Sequence, residues 1–495
     1  MKKIYFISKS EKKGKEVMDF LKDTVEVEFR KEELPKLQST KIKKLVKWKA
    51  REAYKIVRRP VLVEHTSLCI DAFNDLKGLD TNYFSSAVGY ENIVGYCDYK
   101  NNFRAYVESV FCLCDGKDYY IGRGRDSGEI IRSSGKVKDI NGGFGWDTIF
   151  VPNDDNPKGK TYEELKRENP KRQTMRTKAL ESLKSQYAFQ EEGTEWDELF
   201  ETQEKELDEL AQLIQERKVM LFVGAGISAS LGFPTWDALI GELGKNVGYK
   251  KKLFKCHGDY MMLAEYARMI GKDKSRKDAY DIIGDMLKVS MEMERKLTDP
   301  EKSDIYQKLL ALDFPVIYTT NYDHLLEEAY RVKNPECKVV KYSPERDLCG
   351  CDECEDTRIM KFHGDIDALK DQDNEDSIVL SESQYFERMN FQYDMDMQFL
   401  KDMNKYHVLF LGYSLSDVNV KMLLYLARKM KNEGEPLDAY IYTATPNLIQ
   451  REVFRKSGIV SFTGTTSDKR KGTEDFLNAL LRRIEKINKE LAKEI

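Results

Sequence analysis

The sequence predicts two α/β domains, the first built on a mixed sheet and the second on a doubly wound parallel sheet with helical insertions. Before residue 190, short β-like runs alternate with helical stretches at 42–56 and 174–187. After residue 190, strand-like runs each lead into a polar or glycine-containing turn, and long helical patterns separate them. These runs are 219–223, 316–320, 408–412 and 439–443.

Length and composition exclude several classes of protein. At roughly 100 to 200 residues per domain, 495 residues allow about two to four domains. A composition of 41% apolar and 11% aromatic residues excludes disorder as the main state. The formal net charge is only −4, so no global positive field indicates a nucleic-acid partner.

Several features predict a cytoplasmic protein with no membrane partner. The longest apolar stretches, 219–227 and 408–413, are far shorter than the roughly 18 residues of a membrane span. The apolar run at the N-terminus is too brief for a signal peptide. Nine cysteines, an odd number, fit reduced thiols better than a disulfide framework.

An acid-rich segment marks the domain border. Residues 191–210 hold ten acidic residues and one lysine, while Trp196, Leu199, Leu207 and Leu210 recur at helical spacing. The segment is therefore typical of an acidic amphipathic helix rather than a floppy linker. The predicted domains are 1–188 and 216–495, joined by a connecting helix over 189–215.

The first strand of the second domain ends on a glycine-rich turn. A Gly-Ala-Gly-Ile-Ser run at 224–228 follows the apolar strand and leads into a helix. Such a turn lets backbone amides approach a pyrophosphate without obstruction by side chains. Alone it is a weak signal, because Gly-x-Gly is often only a tight turn.

Three later segments strengthen that interpretation, since each follows a predicted strand at the edge where open α/β sheets bind ligands. They are 318–323 (Tyr-Thr-Thr-Asn-Tyr-Asp), 361–365 (Lys-Phe-His-Gly-Asp) and 410–417 (Phe-Leu-Gly-Tyr-Ser-Leu-Ser-Asp). A histidine at such a site suits proton transfer at neutral pH, and the alternative is that His363 is only a hydrogen-bonded turn residue. In this order the four segments resemble the sirtuin family, with its Rossmann-like, NAD-binding domain.

The sirtuin resemblance, which spans about 210–465, implies a role for each matching residue. It implies NAD as the substrate, with His363 and Asn321 as the catalytic residues. The NAD-binding residues it implies are Gly224, Ala225, Gly226 and Ser228 at the phosphates, Thr320 and Asp323 near the nicotinamide ribose, and Gly412 and Ser414 at the adenosine end.

The sequence departs from the deacetylating sirtuins in two features that bear on the acceptor of the ADP-ribosyl group. Where those enzymes carry Gly-Ile-Pro-Asp-Phe-Arg, residues 232–237 read Gly-Phe-Pro-Thr-Trp-Asp. Those enzymes also have a four-cysteine zinc ribbon after the His-Gly element, whereas no cysteine follows Cys354 here. We therefore expect water, not an acyl-lysine, to accept the ADP-ribosyl group. Cys337, Cys349, Cys351 and Cys354 precede His363 without paired Cys-x-x-Cys spacing, so free thiols are favoured over a zinc site and no resident metal is predicted.

Four segments of the first domain, 60–72, 141–152, 161–165 and 174–180, resemble the inosine triphosphate pyrophosphatase (Ham-type) family. The resemblance covers about 1–187 and implies a 6-oxo purine triphosphate such as dITP or ITP as ligand. Aromatic faces suit a base and a guanidinium suits its carbonyl. The implied nucleotide-binding residues are Phe144, Trp146 and Asp147 at the base, Arg176 at the 6-oxygen, and Lys12, Lys13 and Lys49 at the triphosphate.

Two acids of that family are replaced here. The family's catalytic acid in Val-Glu-Asp-Thr/Ser aligns with His65, and its metal-associated glutamate aligns loosely with Lys36. Because hydrolysis of a phosphoanhydride needs a metal and a base, we expect binding with little or no cleavage. Magnesium recruited by Glu64 or Asp71, with residual turnover, remains the alternative. Met175 in place of the family's histidine leaves the exact base geometry open.

Together the two halves resemble the sensor and effector subunits of the Kongming anti-phage defence system joined in one chain. That resemblance implies activation by dITP or ITP, NAD depletion as output, a homo-oligomer, and nucleotide-producing partner enzymes. One alternative is a bifunctional enzyme with live pyrophosphatase and protein deacylase activities. Another is a pair of binding modules, against which Asn321 and His363 count.

Overall fold

The structure is a computed structural model. It describes residues 3–73 except 36, 38 and 40, 88–132, 145–189 except 171 and 188, 195–271, 278–288, 297, 299, 304–333, 339–342, 357–370, 378–389, 393–430 except 416, 439–464 and 468–494. Within these ranges the chain divides into two compact units, Met1–Leu199 and Phe200–Ile495.

The first unit is built on a mixed sheet of strand order β2-β1-β3-β4-β5-β6. Strands β1, β2 and β3 are parallel, and the pairs from β3 to β6 are antiparallel. The strands are β1 (Lys3–Ser8), β2 (Glu26–Lys31), β3 (Val61–Ile70), β4 (Arg104–Cys114), β5 (Tyr119–Ile130) and β6 (Phe150–Pro152). The helices are α1 (Glu11–Leu21), α2 (Ile42–Val57), α3 (Tyr90–Tyr99), α4 (Tyr162–Glu168) and α5 (Met175–Lys184).

Side-chain alternation along the strands divides the core of this unit into two faces. Ile4 and Phe6 of β1 pack with residues of α1 and α5. Tyr5 and Ile7 pack with residues of α2 on the other face. The sheet is therefore covered on both sides, and consecutive residues of β3 face different helices.

Glycines let α5 pack closely on β5. A Cβ at Gly124 would overlap the carbonyl oxygen of Met175, and one at Gly122 would overlap that of Ala179. The hydroxyl of Thr174 caps the first turn of α5 by accepting from Thr177 N. This close contact holds the start of α5, and with it Arg176, directly over the sheet.

The second unit is built on a parallel sheet of order β13-β12-β11-β7-β8-β10-β9. The strands are β7 (Val219–Val223), β8 (Val316–Thr319), β9 (Val339–Tyr342), β10 (Thr357–Lys361), β11 (His407–Leu411), β12 (Ala439–Thr443) and β13 (Ile459–Thr463). All residues of β7 and β10 are buried, as expected for a parallel sheet with helices on both faces. Both sheets confirm the predicted fold class.

Helices surround this sheet. They are α6 (Glu195–Gln215), α7 (Ala225–Ser228), α8 (Trp236–Asn246), α9 (Lys251–Phe254), α10 (Tyr260–Gly271), α11 (Ala279–Leu287), α12 (Asp304–Ala311), α13 (Leu325–Lys333), α14 (Glu382–Arg388), α15 (Asp394–Lys405), α16 (Val418–Met430), α17 (Leu448–Lys456) and α18 (Lys469–Glu494). None of the helices in the described ranges is both long and apolar enough to cross a bilayer.

The acidic helix α6 forms most of the predicted connecting segment, and its second half packs inside the second unit. Leu207, Leu210 and Ile214 are buried in the large core cluster of that unit. Gln203 donates to the carbonyl of Thr463 at 3.1 Å and accepts from its amide at 2.9 Å. Residues from Gln203 onward therefore belong structurally to the second unit.

Candidate functional site

The glycine turn after β7 lies against the turn after β11. Gly224 N donates to Leu411 O and Gly226 N to Gly412 O, each at 3.0 Å. A Cβ at Gly224 would lie 2.5 Å from Gly412 O. Gly412 itself has a φ of 65°, a left-handed conformation that favours glycine. The two turns that the sequence assigned to the phosphates and to the adenosine end of NAD are thus in contact at the carboxyl edge of adjacent strands.

Replacing Gly224 with alanine tests this contact. The new methyl group has no room beside the backbone of Gly412 and Tyr413, so the two turns must separate. We expect binding of NAD, measured by calorimetry, to weaken at least tenfold (about 1.4 kcal/mol or more). Gly95→Ala is the control, because Gly95 lies within helix α3 and no heavy atom lies within 4 Å of its added Cβ. Unchanged NAD affinity in Gly224→Ala would contradict the assignment.

Ser228 connects the glycine turn to the segment after β8. Asn321 Nδ2 donates to Ser228 Oγ at 2.9 Å, and Ser228 Oγ donates to Asp323 Oδ2 at 3.0 Å. The Asn321 amide nitrogen therefore faces Ser228, which directs its carbonyl oxygen away from Ser228. The backbone is held as well, since Asn321 N donates to Thr319 Oγ1, which donates to Val223 O.

Asp323 is fully buried in this chain of hydrogen bonds. Burial raises the pKa of its carboxyl, and the nearby charge of Lys361 opposes that rise. Asp323 Oδ1 accepts from Leu325 N at 3.1 Å, which also starts α13. The carboxylate thus fixes the direction of the Ser228 hydroxyl and, through it, the orientation of Asn321.

His363 lies in a closed environment after β10. Its side chain is 2% exposed, its backbone oxygen accepts from Val379 N at 3.0 Å, and its ring meets Tyr385 edge-on at 5.3 Å between centroids. Burial lowers the pKa of His363 to about 4, with Asp417 raising it and Arg388 lowering it. The imidazole is therefore neutral at pH 7 and able to accept a proton.

Lys361 is a residue that sequence reasoning missed. Its side chain is 0% exposed, and its ammonium group donates to Asp323 O and pairs with Glu327 at 3.0 Å. It joins the segment that carries Asn321 to the strand that precedes His363. The available signal was a lysine at the last position of the strand Thr357–Lys361, at the edge where the motifs converge.

A further ion-pair cluster lies beside Lys361. His324 Nε2 is 2.7 Å from Asp365 Oδ1, and Lys341 pairs with Asp365 at 3.0 Å and with Asp367 at 2.8 Å. Burial acts to raise the pKa of Asp365, but the hydrogen bond to His324 and the charge of Lys361 hold it below its usual value. The cluster, with its paired lysines, anchors the loop after His363.

The structure places the remaining predicted residues of this domain as follows. Ala225 and Thr320 are half-buried, Gly226 is exposed on the first turn, and Ser414 is exposed on the turn after β11. Asp237, which stands where deacetylases have arginine, pairs with Lys255 at 2.6 Å and accepts from Tyr260. Asp237 therefore joins α8 to the following helices. The four cysteines considered for zinc lie outside the described residues.

In the first unit, Glu64 of β3 is the centre of a buried charge network. Its carboxylate pairs with Arg176 Nε and with Lys13 Nζ, each at 2.8 Å, and accepts from the hydroxyls of Thr66 and Ser109. Burial acts to raise its pKa, but the charges of Arg176 and Lys13 hold it well below the ordinary value. Arg176 is 2% exposed and also pairs with Glu16.

Two residues of the predicted base-binding loop, Trp146 and Asp147, are buried in the first unit. Trp146 is buried against Phe150 and Tyr162, at 6.3 and 5.8 Å between ring centroids, so its ring forms part of the core. Asp147 is 1% exposed and pairs with Lys166 at 3.0 Å through Oδ2, while Oδ1 has no hydrogen-bond partner among the described residues. That oxygen is a buried acceptor suited to an N–H donor such as the edge of a base.

The other predicted residues of the first unit lie on different elements. Lys12 is exposed on α1 and Lys49 is half-buried on α2. His65 pairs in register with Val110 of β4, without a bulge. Its side chain therefore points to the sheet face opposite that of Glu64. Phe144 and Lys36 lie outside the described residues.

Comparisons with known proteins give one family match within each of the two units. Residues 4–186 match the Ham1 family, and residues 315–462 match a SIR2-like domain. Inosine triphosphate pyrophosphatase 2 of Trypanosoma cruzi (strain CL Brener) is 35% identical over 188 residues, which are 38% of this chain and 93% of that protein.

Two further relatives are an NAD(+) hydrolase and a defence-associated sirtuin. NAD(+) hydrolase ThsA of Enterococcus faecium is 28% identical over 228 residues, 46% of this chain and 43% of that protein. Defense-associated sirtuin 2 of Bacillus subtilis is 26% identical over 252 residues, 50% of this chain and 23% of that protein. The chain thus spans less than half the length of each of these two relatives.

Proposed function

Since residues 4–186 belong to the inosine triphosphate pyrophosphatase family and are joined in one chain to a SIR2-like domain, we propose a nucleotide-gated NAD hydrolase. The N-terminal domain senses a 6-oxo purine nucleotide, dITP or ITP, without efficient hydrolysis. The C-terminal domain then cleaves NAD to nicotinamide and ADP-ribose. The hydrogen-bond chain Asn321–Ser228–Asp323 beside the two contacting glycine turns is the observation that carries this proposal.

The site residues divide the chemistry of NAD cleavage between them. The turns at Gly224–Gly226 and Gly412–Ser414 receive the phosphates and adenosine, while Thr320, Asn321 and Asp323 line the nicotinamide ribose. The bond between ribose C1′ and the nicotinamide nitrogen breaks, nicotinamide leaves neutral, and a water oxygen bonds to C1′. The water's proton passes to neutral His363, which returns it to solvent.

Loss of pyrophosphatase activity is the second part of the proposal. The replacement of the family's catalytic acid by His65 supports it, as does the network around Glu64, whose carboxylate is already paired with Lys13 and Arg176. With these cations on one sheet face and His65 on the other, the described residues of β3 do not fit a magnesium site. The basic groups still suit a triphosphate.

The proposed setting is bacterial anti-phage defence in the cytoplasm, with NAD depletion as the outcome. The similarity to an NAD hydrolase and to a defence-associated sirtuin supports it. A homo-oligomer and partner enzymes that produce the nucleotide complete the proposal.

One assay separates this function from the bifunctional alternative. The purified chain is incubated with NAD, with and without dITP or ITP, and both nucleotides are followed by chromatography. We expect nicotinamide release that depends on the triphosphate while the triphosphate stays intact. Pyrophosphate release without loss of NAD would contradict the proposal and favour a live pyrophosphatase, an outcome that 35% identity to such an enzyme makes worth testing.

The first turns of α6 are the proposed coupling element. Residues from Gln203 onward are part of the second core, so the exchange is confined to 191–199. We expect a Gly/Ser replacement of equal length to abolish stimulation by dITP, whereas a helix-forming Glu-Ala-Ala-Ala-Lys type replacement retains it. The measurement is the ratio of NAD cleavage rates with and without dITP. Full stimulation with the flexible replacement would rule out α6 as the coupler.

A further inference from the structure

The two oxygens of Asp417 have different partners. Oδ1 accepts from Asn419 N at 2.9 Å and Val420 N at 3.2 Å, which caps the start of α16. Oδ2 lies 3.2 Å from His363 Nε2 and 3.4 Å from Tyr385 Oη. Half of this carboxylate is therefore a helix cap, and the other half faces the proposed catalytic histidine.

We propose that Asp417 is a positioning residue for NAD hydrolysis, which holds the imidazole of His363 and stabilises its protonated form. This inference rests on the proposed function of the SIR2-like domain. Nε2 has no hydrogen-bond partner among the described residues, so the 3.2 Å contact acts mainly through charge.

The chemistry follows from what a carboxylate can do. An ionised carboxylate only accepts, so beside Nε2 it favours the tautomer that carries a proton on that nitrogen. Nδ1 then holds the lone pair and takes the proton from water. The imidazolium that forms is buried, where a nearby negative charge counts for more than it does in water.

Other groups packed around His363 modify this effect. Arg388 of α14 opposes protonation, but it donates to Phe362 O and pairs with Asp396, so part of its charge is balanced. Tyr385 of the same helix meets the imidazole edge-on. The pKa of Tyr385 is raised well above its ordinary value, first by burial and then by Asp417, so its hydroxyl stays neutral. Asp417 is therefore the negative group closest to the imidazole among the contacts described.

Asp417→Asn isolates the charge, because asparagine is an equally good N-cap and keeps Oδ1. We expect kcat for NAD to fall by about 10- to 100-fold with KM changed by less than about threefold, since only proton transfer is affected. Because Asp417 raises the pKa of His363, the acidic limb of kcat/KM must move to lower pH in this variant.

Asn447→Ala is the matched control for loss of a cap. Asn447 Oδ1 accepts from Gln450 N at the start of α17, and Asn447 is exposed. We expect its NAD cleavage to equal that of the wild type. Wild-type kcat in Asp417→Asn would overturn the proposal. So would an activity loss that occurs only in Asp417→Ala, because the carboxylate would then be only a cap.

Nitrogen-15 NMR of histidine-labelled full-length protein gives a readout that needs no NAD cleavage. With the His363 signals assigned by a His363→Ala spectrum, we expect a proton on Nε2 at pH 7, and a changed population in Asp417→Asn. A proton on Nδ1, or identical spectra, would overturn the inference even if NAD is hydrolysed. An inactive wild type with the expected spectra would refute the proposed function and leave the coupling of Asp417 to His363 standing.

Discussion

Replacing His363 with alanine is expected to reduce NAD cleavage by about 10²- to 10⁴-fold, the contribution of a positioned general base. The imidazole is the buried, neutral acceptor at the carboxyl end of β10, and alanine cannot take the proton that water must lose. Calorimetric affinity for dITP should stay at the wild-type value, because the proposed site for that ligand lies in the other domain. The rate of nicotinamide release and the dITP isotherm are the two measurements.

His257→Ala is the matched control, since His257 also precedes a glycine but is exposed and follows α9 instead of a strand. It should cleave NAD at the wild-type rate. In the wild type, the depressed pKa of about 4 places the acidic limb of kcat/KM well below the ordinary histidine range. Equal loss of NAD cleavage and dITP binding in His363→Ala would refute the division of labour between the domains.

Replacing Arg176 with alanine is expected to destabilise the first unit by about 3 to 5 kcal/mol. The change removes one of two cations from Glu64, whose carboxylate is buried, and leaves the remaining charge poorly compensated. Hydrogen–deuterium exchange of β3 and α5 peptides measures the loss within that unit alone. Binding of dITP should fall with it, since Arg176 is the proposed reader of the 6-oxygen.

Arg132→Ala is the control for a surface ion pair. Arg132 pairs with Glu129 at 3.0 Å and both side chains are exposed, by 67% and 44%, so its loss should cost at most about 1 kcal/mol. The double variant Glu64→Gln/Arg176→Met removes both charges and should recover much of the stability. A loss below about 1 kcal/mol in Arg176→Ala would show that the network contributes little.

The same network predicts how the stability of the first unit depends on pH. The pKa of Glu64 is depressed in the folded state, so the unfolded state binds the proton more readily. The free energy of unfolding therefore decreases as the pH is lowered. The contribution is fully present above the ordinary glutamate pKa and disappears as the pH falls through the folded value. Arg176→Ala should therefore flatten the acid dependence of exchange in β3.

Much of the candidate site could be predicted because each motif follows a strand of a parallel sheet. The carboxyl ends of such strands meet at one edge, so the order of the motifs was enough to assign Ser228, Asn321 and Asp323 to the same edge of the sheet. The contacts of Asp417 and Lys361 could not be found in this way. Both depend on which side chains face each other across loops that are distant in sequence.

Arg176 shows the same difference in the first unit. Its motif indicated a nucleotide-facing guanidinium, but the structure buries it between Glu64 and Glu16, 112 and 160 residues away in sequence. The role at the base stays a prediction, since a ligand would have to compete with these carboxylates. No local pattern encodes that competition.

The sequence by itself determined the two α/β domains and the motif order, because hydrophobic periodicity and glycine turns are local properties of a chain. Only the tertiary structure decided the charge environment of the key groups. Burial lowers the pKa of His363, two cations lower that of Glu64, and the Asp417 carboxylate is divided between a helix cap and an imidazole. Electrostatic free energies depend on distance and solvent exclusion, and packing alone sets both.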